Sequence, residues 1–130
     1  MLMPAVLLVV IVMGAIAIDL GAVHVRQRDL ANAAAAAAND GVSYGLDRDH
    51  LRATGEQRLD PVAVAETVAA SIAARQTGDI VVIDVQLIGT DQVEVTLGTT
   101  AVHILAPAVP GASSSVSLRA TARARLIPPP

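Results

Sequence analysis

The apolar positions of the chain begin as one uninterrupted block and become periodic only later. From Met1 to Ile18 no side chain is charged, and Leu, Val, Ile, Ala and Met fill nearly every position. A helix rises about 1.5 Å per residue, so this block would span about 27 Å, close to the hydrocarbon thickness of a bilayer. A lone segment in lipid can pair its backbone groups only as a helix. The pattern therefore predicts a transmembrane helix over residues 1–18.

Beyond Asp19 the sequence becomes mixed but keeps the composition of a helix. Alanine fills positions 33–38, and alanine has the highest helix propensity of any residue. Asn39, Asp40 and Gly41 form a stop signal, because glycine readily adopts the left-handed conformation found just past a helix end. We therefore expect residues 19–40 to continue the same helix as a soluble extension.

Residues 41–60 are polar and carry charges of both signs without a sustained apolar face. This composition predicts a solvated loop that contains up to one short helical turn. Asp47, Asp49 and His50 could serve as ligands for a divalent metal. The same residues also suit an ordinary surface loop whose acids are neutralised by arginine, and we favour that interpretation.

Residues 61–130 carry the periodic patterns of a small α+β domain. Asp60 can cap a helix that begins at Pro61, and Arg75 and Gly78 suit its end. The apolar positions of this second, amphipathic helix fall at helical spacing: Val62, Ala65, Val68, Ala69, Ile72 and Ala73. We expect this face to pack on a sheet.

From Asp79 the apolar period shortens to two, which indicates β-strands. Polar residues alternate with two sets of apolar ones, and residues 89–91 form a turn between them, which predicts a hairpin. The sets are Ile83, Val85 and Leu87, then Val93, Val95 and Leu97. Residues 99–105 either extend the second strand or begin another, depending on the backbone at Gly98.

The end of the chain predicts a loop and one more strand. Residues 106–115 contain prolines, glycine and serines and are typical of a loop. Residues 116–126 then alternate, with arginines on the polar side, so we expect a half-buried strand with a basic outer face. The prolines at 128–130 cannot donate to a β-ladder and would end it. Altogether the sequence predicts an antiparallel sheet of three to four strands.

Composition removes several classes of function. The chain has no Cys, which excludes disulfides, thiolate metal sites and a cysteine nucleophile. A net charge of −3 gives no electrostatic basis for binding nucleic acid. Tyr44 is its only aromatic residue, so the core must be built from small aliphatic side chains.

No catalytic set emerges from the sequence. His24, His50 and His103 are widely spaced, and the serines at 113–115 lie outside any nucleophile-elbow motif. No glycine-rich motif for binding phosphate is present. We therefore predict no catalytic, cofactor-binding or metal-binding residues, no small-molecule substrate and no enzymatic activity.

The fate and the orientation of the apolar segment are separate questions. Ala15-Ile16-Ala17 would suit a signal peptidase, but no basic residue precedes the apolar run, so we favour retention over cleavage near Ala17. Arg26 and Arg28 follow the span, and the positive-inside rule alone would hold that side in the cytoplasm.

The order of these parts resembles the TadE/TadG-like minor pilins of tight-adherence, Flp-type pilus systems. The residues that carry the resemblance are Pro4, the apolar run to Ile18, Asp19-Leu20-Gly21, Arg26-Gln27-Arg28-Asp29-Leu30 and Asn32–Asn39. The hairpin, the Pro/Gly/Ser loop and the terminal Arg-bearing strand also suit that family. The resemblance covers most of the chain, although its elements are compositional.

The resemblance implies a pilin-like fold and a single-pass cell-membrane subunit with an extracytoplasmic C-terminal domain. Such a subunit would act with other pilus or pseudopilin subunits and an assembly platform, in pilus assembly or a related bacterial secretion apparatus. Members cleaved by the prepilin peptidase carry a Gly and an early Glu before the apolar run, whereas no Glu precedes Glu56 here. Either the true start lies upstream of Met1, or this subunit is anchored without processing.

Small residues near the end of the apolar run are candidates for contact between helices, because they let two backbones approach closely. The candidates are Gly14, Ala15, Ala17, Asp19, Gly21 and Ala22. Small residues are also common in any membrane helix. Asp19 either pairs with a cation of a neighbouring subunit or simply marks the membrane boundary, and we favour the boundary. The alternative function is an envelope-anchored binding or adhesion domain that does not polymerise.

Overall fold

One helix of 42 residues, α1, extends through the fold from Met3 to Tyr44. The computed structural model describes residues 3–75, 79–105 and 113–127. Within them α1 is followed by α2 (Arg48–Thr54) and α3 (Pro61–Ala74), then by β1 (Val81–Ile88), β2 (Gln92–Val102) and β3 (Ser115–Arg125). The strands form an antiparallel sheet in the order β1-β2-β3. This architecture confirms the predicted α+β class.

The two halves of α1 have different surroundings. The apolar half is long and apolar enough to cross a membrane, and almost none of it is buried within the chain. The second half lies across β2 and β3 and also packs on α3. Its buried apolar positions include four alanines, whose small side chains let the helix lie close to the sheet, together with the larger Leu30 and Val42: Ala33, Ala34, Ala37 and Ala38.

α1 does not end at Gly41, as the sequence predicted, but continues to Tyr44. Gly41 is buried, and a Cβ at this position would lie 3.2 Å from Val68 Cγ2 and 3.5 Å from Val64 Cγ1. The glycine therefore serves a close approach between α1 and α3 and does not terminate the helix. The local sequence around Gly41 is the same whether the glycine ends a helix or admits a neighbouring helix. The sequence pattern therefore predicted the wrong role.

The predicted start of α3 is confirmed. Asp60 Oδ1 accepts a hydrogen bond from the Val62 amide at 2.9 Å, and Pro61 occupies the first turn. The predicted buried face was right only for Val68 and Ile72. The other predicted positions are exposed, and the third buried residue is Val64, which was not predicted: Val62, Ala65, Ala69 and Ala73 are the exposed ones. α3 packs mainly on α1, and its main contact with the sheet is along β1. The predicted stop at Gly78 lies outside the described residues.

The hairpin and the third strand are confirmed, with one change of register. Val93, Val95 and Leu97 are fully buried on the helix-facing side, and Gly89 adopts a positive φ of 68° in the turn. A bulge between Val82 and Asp84 turns Ile83 to the outer face, so the buried side of β1 consists of Val82, Val85 and Leu87. The prediction that Ile83 shares a face with Val85 was wrong.

β2 passes through Gly98 without a break and ends at Val102. Of the two alternatives for residues 99–105, the structure therefore favours extension of the second strand as far as that residue. β3 pairs with β2 along its whole length, and its arginines lie on the exposed side, as predicted. Of the loop expected over 106–115, residues 106–112 lie outside the described residues, as do the prolines at 128–130, and Ser115 is already the first residue of β3.

Residues 41–60 are more ordered than predicted. Asp47 caps α2, a helix of 7 residues, and Gly55 closes it with a φ of 77°. Leu59 is fully buried, pairs with Leu46 in an isolated bridge and donates its amide to the Thr90 carbonyl at 3.0 Å. This segment therefore contributes a core residue and ties the end of α1 to the hairpin turn.

Candidate functional site

The site with the clearest functional geometry is the junction between the apolar half of α1 and the folded domain. β2 runs antiparallel to α1, because Val93 lies near Gly41 whereas Val102 lines a small cleft together with Ala22. The end of β2 is therefore the part of the sheet that lies beside the apolar half of the helix. Asp19 is at the centre of this junction.

Asp19 is only 8% exposed. Its Oδ1 accepts hydrogen bonds from the backbone amides of Ile104 at 2.9 Å and Leu105 at 3.0 Å, and its Oδ2 lies 3.3 Å from the Leu105 amide. We call this contact the Asp19 clamp. Burial of a carboxylate is unfavourable unless it is hydrogen-bonded, and unpaired backbone amides carry a similar penalty. Each group in the clamp therefore satisfies the other.

The clamp changes the interpretation of Asp19. The sequence alone favours a plain membrane boundary at this position, and the structure adds a specific contact within the chain. Residues 19 and 104 are 85 positions apart, and neither has a local pattern that points to the other. The only sign of this contact in the sequence was a pair of adjacent apolar residues just beyond the second strand, Ile104 and Leu105.

The remaining helix-contact candidates divide between two faces of α1. Successive residues of a helix are about 100° apart around its axis, so Ala15 and Ala22 fall on the same side as Asp19. Farther along α1, this side faces the sheet. Both are half-buried. Gly14, Ala17 and Gly21 fall on a separate arc about 60° wide, and all three are exposed. We call these three residues the small-residue face.

The small-residue face has room for a partner. A Cβ built at Gly14 or at Gly21 meets nothing within 4 Å. Ala17 and Gly21 have the small-x-x-x-small spacing that allows close approach of two membrane helices. The geometry thus brings Ala15, Asp19 and Ala22 to the domain side and leaves the other three candidates open.

An ion pair and a hydrogen bond attach α1 to the domain just beyond the clamp. Arg26 contacts Asp79 at 2.9 Å, and Gln27 donates to the Arg119 carbonyl at 2.9 Å. Nearer the far end of the helix, Arg75 lies 3.6 Å from Asp40. These contacts are partly exposed, so each adds little stability by itself, but together they fix the direction of the helix relative to the sheet.

Asp47 has a structural role at the other end of the domain. It accepts hydrogen bonds from the His50 amide at 2.9 Å and from Arg58 at 3.0 Å. The backbone hydrogen bond, and after it the contact with Arg58, lower the pKa of Asp47 below its ordinary value of 3.8. Within residues 3–75, 79–105 and 113–127, no group of three or more His, Asp or Glu side chains is placed to hold a metal ion.

The histidines and serines singled out in the sequence lie apart. His24 is on α1, His50 is on α2 and His103 follows β2. Ser113 and Ser114 precede β3, and Ser115 is its first residue.

No family model matches the chain, and no curated protein or solved structure matches it significantly.

Proposed function

We propose that this protein is a single-pass, membrane-anchored minor pilin-like subunit that acts in assembly of a Flp/Tad-type pilus or a related secretion apparatus. The observation that carries the proposal is the division of α1. Its first half presents apolar side chains outward on all sides, whereas its second half is built into an antiparallel α+β domain. A helix with this division can remain in the bilayer until assembly and can then pack against other helices.

The choice of a pilus over any other membrane assembly rests on the resemblance to TadE/TadG-like minor pilins. Its elements extend over most of the chain, from Pro4 to the Arg-bearing terminal strand. The continuous α1 suits this role, because a rigid helix can transmit contacts made in the membrane to the domain outside it. The proposed partners are other pilus or pseudopilin subunits and the assembly platform.

The small-residue face is the proposed contact surface between subunits. Membrane helices gain little from burying apolar side chains, since lipid is equally apolar, so close packing at small residues is a main source of their association. Gly14, Ala17 and Gly21 supply such a surface on the side of α1 that faces away from its own domain. Asp19, which is committed to the clamp, instead serves the fold of its own chain.

The domain is proposed to lie outside the cytoplasm. Arg26 and Arg28 oppose this orientation under the positive-inside rule, which counts cations close to the span. Arg26 is engaged by Asp79 in the folded domain, although acidic residues offset the rule only weakly. Protease added to intact spheroplasts is expected to remove the domain and to leave the apolar half protected. If the domain is digested only after the membrane is opened, it lies on the cytoplasmic side and the proposed orientation is wrong.

Leucine substitution on the small-residue face tests the proposed contacts. Gly14→Leu and Gly21→Leu add large side chains where the chain itself has open space, so the fold should persist. We expect loss of pilus assembly and of co-purification with other pilus subunits. Ala5→Leu, on the opposite side of the same helix, is the matched control and should leave both unchanged.

The same experiment separates the alternative function. If both leucine variants stay in the membrane and keep all partners, the helix is only an anchor. The protein would then be an envelope-anchored binding or adhesion domain that does not polymerise.

A further inference from the structure

Three apolar side chains at the end of β2 are exposed on the part of the domain nearest the apolar half of α1. Val102 is 66% exposed, Ile104 is 65% exposed and Leu105 is 37% exposed. We call these three residues the apolar tip. The other outward positions of β2 carry polar side chains such as Glu94, Thr96 and Thr100, so an apolar residue at the outward position 102 departs from the pattern of the strand.

The apolar tip lies at the level where the predicted span ends. Asp19 accepts hydrogen bonds from two residues of the tip, and Val102 lines the same cleft as Ala22. Along the helix axis, residues 19–22 cover about 5 Å, which is comparable to the interfacial layer on one side of a bilayer. Exposed Ile18 and Leu20 continue the apolar surface of α1 at the same level.

We infer that the apolar tip is a second membrane contact, which inserts into the lipid interface beside the span of its own chain. This inference rests on the proposed membrane anchoring of α1. The surface of the tip is continuous with the surface of the span. The position of the span in the bilayer therefore sets the depth of both. Lipid is therefore the occupant that geometry favours.

The Asp19 clamp makes this placement compatible with the polarity of the interface. Backbone amides and carboxylates resist transfer toward lipid unless they are paired. The clamp pairs the amides of Ile104 and Leu105 with the carboxylate at the end of the span. The tip can then present only its side chains to the lipid, and Asp19 acts as the positioning residue.

A single tryptophan tests the location of the tip. The chain contains no Trp, so Ile104→Trp introduces the only one. The full chain would be reconstituted into phosphatidylcholine vesicles whose acyl chains carry bromine near the interface. We expect blue-shifted emission and strong quenching. Val62→Trp replaces an equally exposed apolar residue at the far end of the domain and should be unquenched.

A spin label provides a second probe, because tryptophan itself prefers membrane interfaces and this preference would favour the expected result. The chain has no Cys, so Ile104→Cys can be labelled alone. We expect the label in vesicles to be more accessible to oxygen than to a water-soluble nickel complex, with the reverse at Val62→Cys. A tip label as accessible to nickel as the control label would overturn the inference.

Asp19→Ala in the Ile104→Trp background tests the role of the clamp. Alanine has no side-chain acceptor, so the two backbone amides lose their partner, and we expect at least a twofold loss of quenching. Asp29→Ala alters an exposed carboxylate of the same helix and should not change it. Full quenching in the Asp19 variant would show that the clamp does not position the tip.

Flotation separates the inference from the function on which it rests. Vesicles that float with the Ile104→Trp variant but leave its tryptophan unquenched would overturn the lipid contact of the tip alone. Protein that stays behind when the vesicles float would overturn the membrane anchoring as well.

Discussion

Gly45 lies directly against the backbone of Val64. A Cβ at Gly45 would be 3.1 Å from Val64 Cα and would overlap both Val64 Cγ2 and the Gly41 carbonyl oxygen. The Gly45 amide also donates to that carbonyl at 2.9 Å, and its own carbonyl accepts from the Asp60 amide at 2.8 Å. The end of α1 and the start of α3 are therefore held together through a position that has no room for a side chain.

Gly45→Ala should destabilise the domain because backbone atoms must move to admit the new methyl group. We expect a loss of about 1–3 kcal/mol in the free energy of unfolding. Gly21→Ala, at an open position within α1, should be neutral or slightly stabilising. Denaturant unfolding in detergent, followed by circular dichroism, measures both. Equal midpoints for the two variants would contradict the close contact.

Asp19→Ala should release the end of β2 from α1. The amides of Ile104 and Leu105 would lose their acceptor, and we expect their hydrogen exchange to accelerate by at least tenfold. The loss in stability should be about 1–3 kcal/mol, typical of buried polar groups left unpaired. Exchange measured by NMR in micelles provides the test, with Asp29→Ala as control. Unchanged protection at both amides would rule out the clamp.

Leu59→Ala should be among the most damaging changes in the segment between α1 and α3. Leu59 is 1% exposed, and its truncation leaves a cavity beneath the hairpin turn. Truncation of a buried leucine costs about 2–5 kcal/mol. Leu51→Ala, on the partly exposed α2, should cost clearly less. Thermal unfolding distinguishes the two, and similar melting temperatures would argue against a core role for Leu59.

Acidification should loosen α2 through Asp47. Its pKa is lower in the folded chain than in the unfolded chain, so its contribution to stability is present above the unfolded value of about 4 and is lost as the pH falls through the folded value. The amide proton shift of His50, followed from about pH 6 to about pH 2, should report this loss.

Asparagine substitutions identify the group that titrates. Asp47→Asn keeps an oxygen that can cap the helix but removes the titration, so the His50 amide shift should become nearly independent of pH. Asp49→Asn, at an exposed position on the same short helix, should preserve the transition. If the transition instead disappears in the Asp49→Asn variant, the titrating group is Asp49 and the assignment to Asp47 is wrong.

Strong local patterns predicted most of the elements correctly. The apolar block, the alanine run, the Asp60-Pro61 cap and the alternation around Val93 each depend on residues close in sequence, and the corresponding elements are present. The α+β class followed from them. Membrane insertion, partners and the pilus itself are not local properties, and they stay predictions.

The errors concern positions whose role is set by distant contacts. Gly41 carries the same local signal whether it ends a helix or admits Val68 from another helix. Ile83 alternates correctly with its neighbours, but the bulge beside it turns its side chain outward, close above Gly98. Leu59 lies in the segment predicted to be a solvated loop, yet it is buried through contacts with the distant Leu46 and Thr90. Asp19 likewise needed Ile104 and Leu105.

The unbroken course of α1 has a mechanical consequence. Tyr44 lies about 39 Å along the axis from Ile18, and contacts with the sheet stiffen most of that length. Membrane helices commonly lean by about 20°, and a lean of that size would swing the far end of the domain sideways by about 13 Å. In the proposed membrane-anchored state, a small change in the tilt of the apolar half would therefore produce a large displacement of α3.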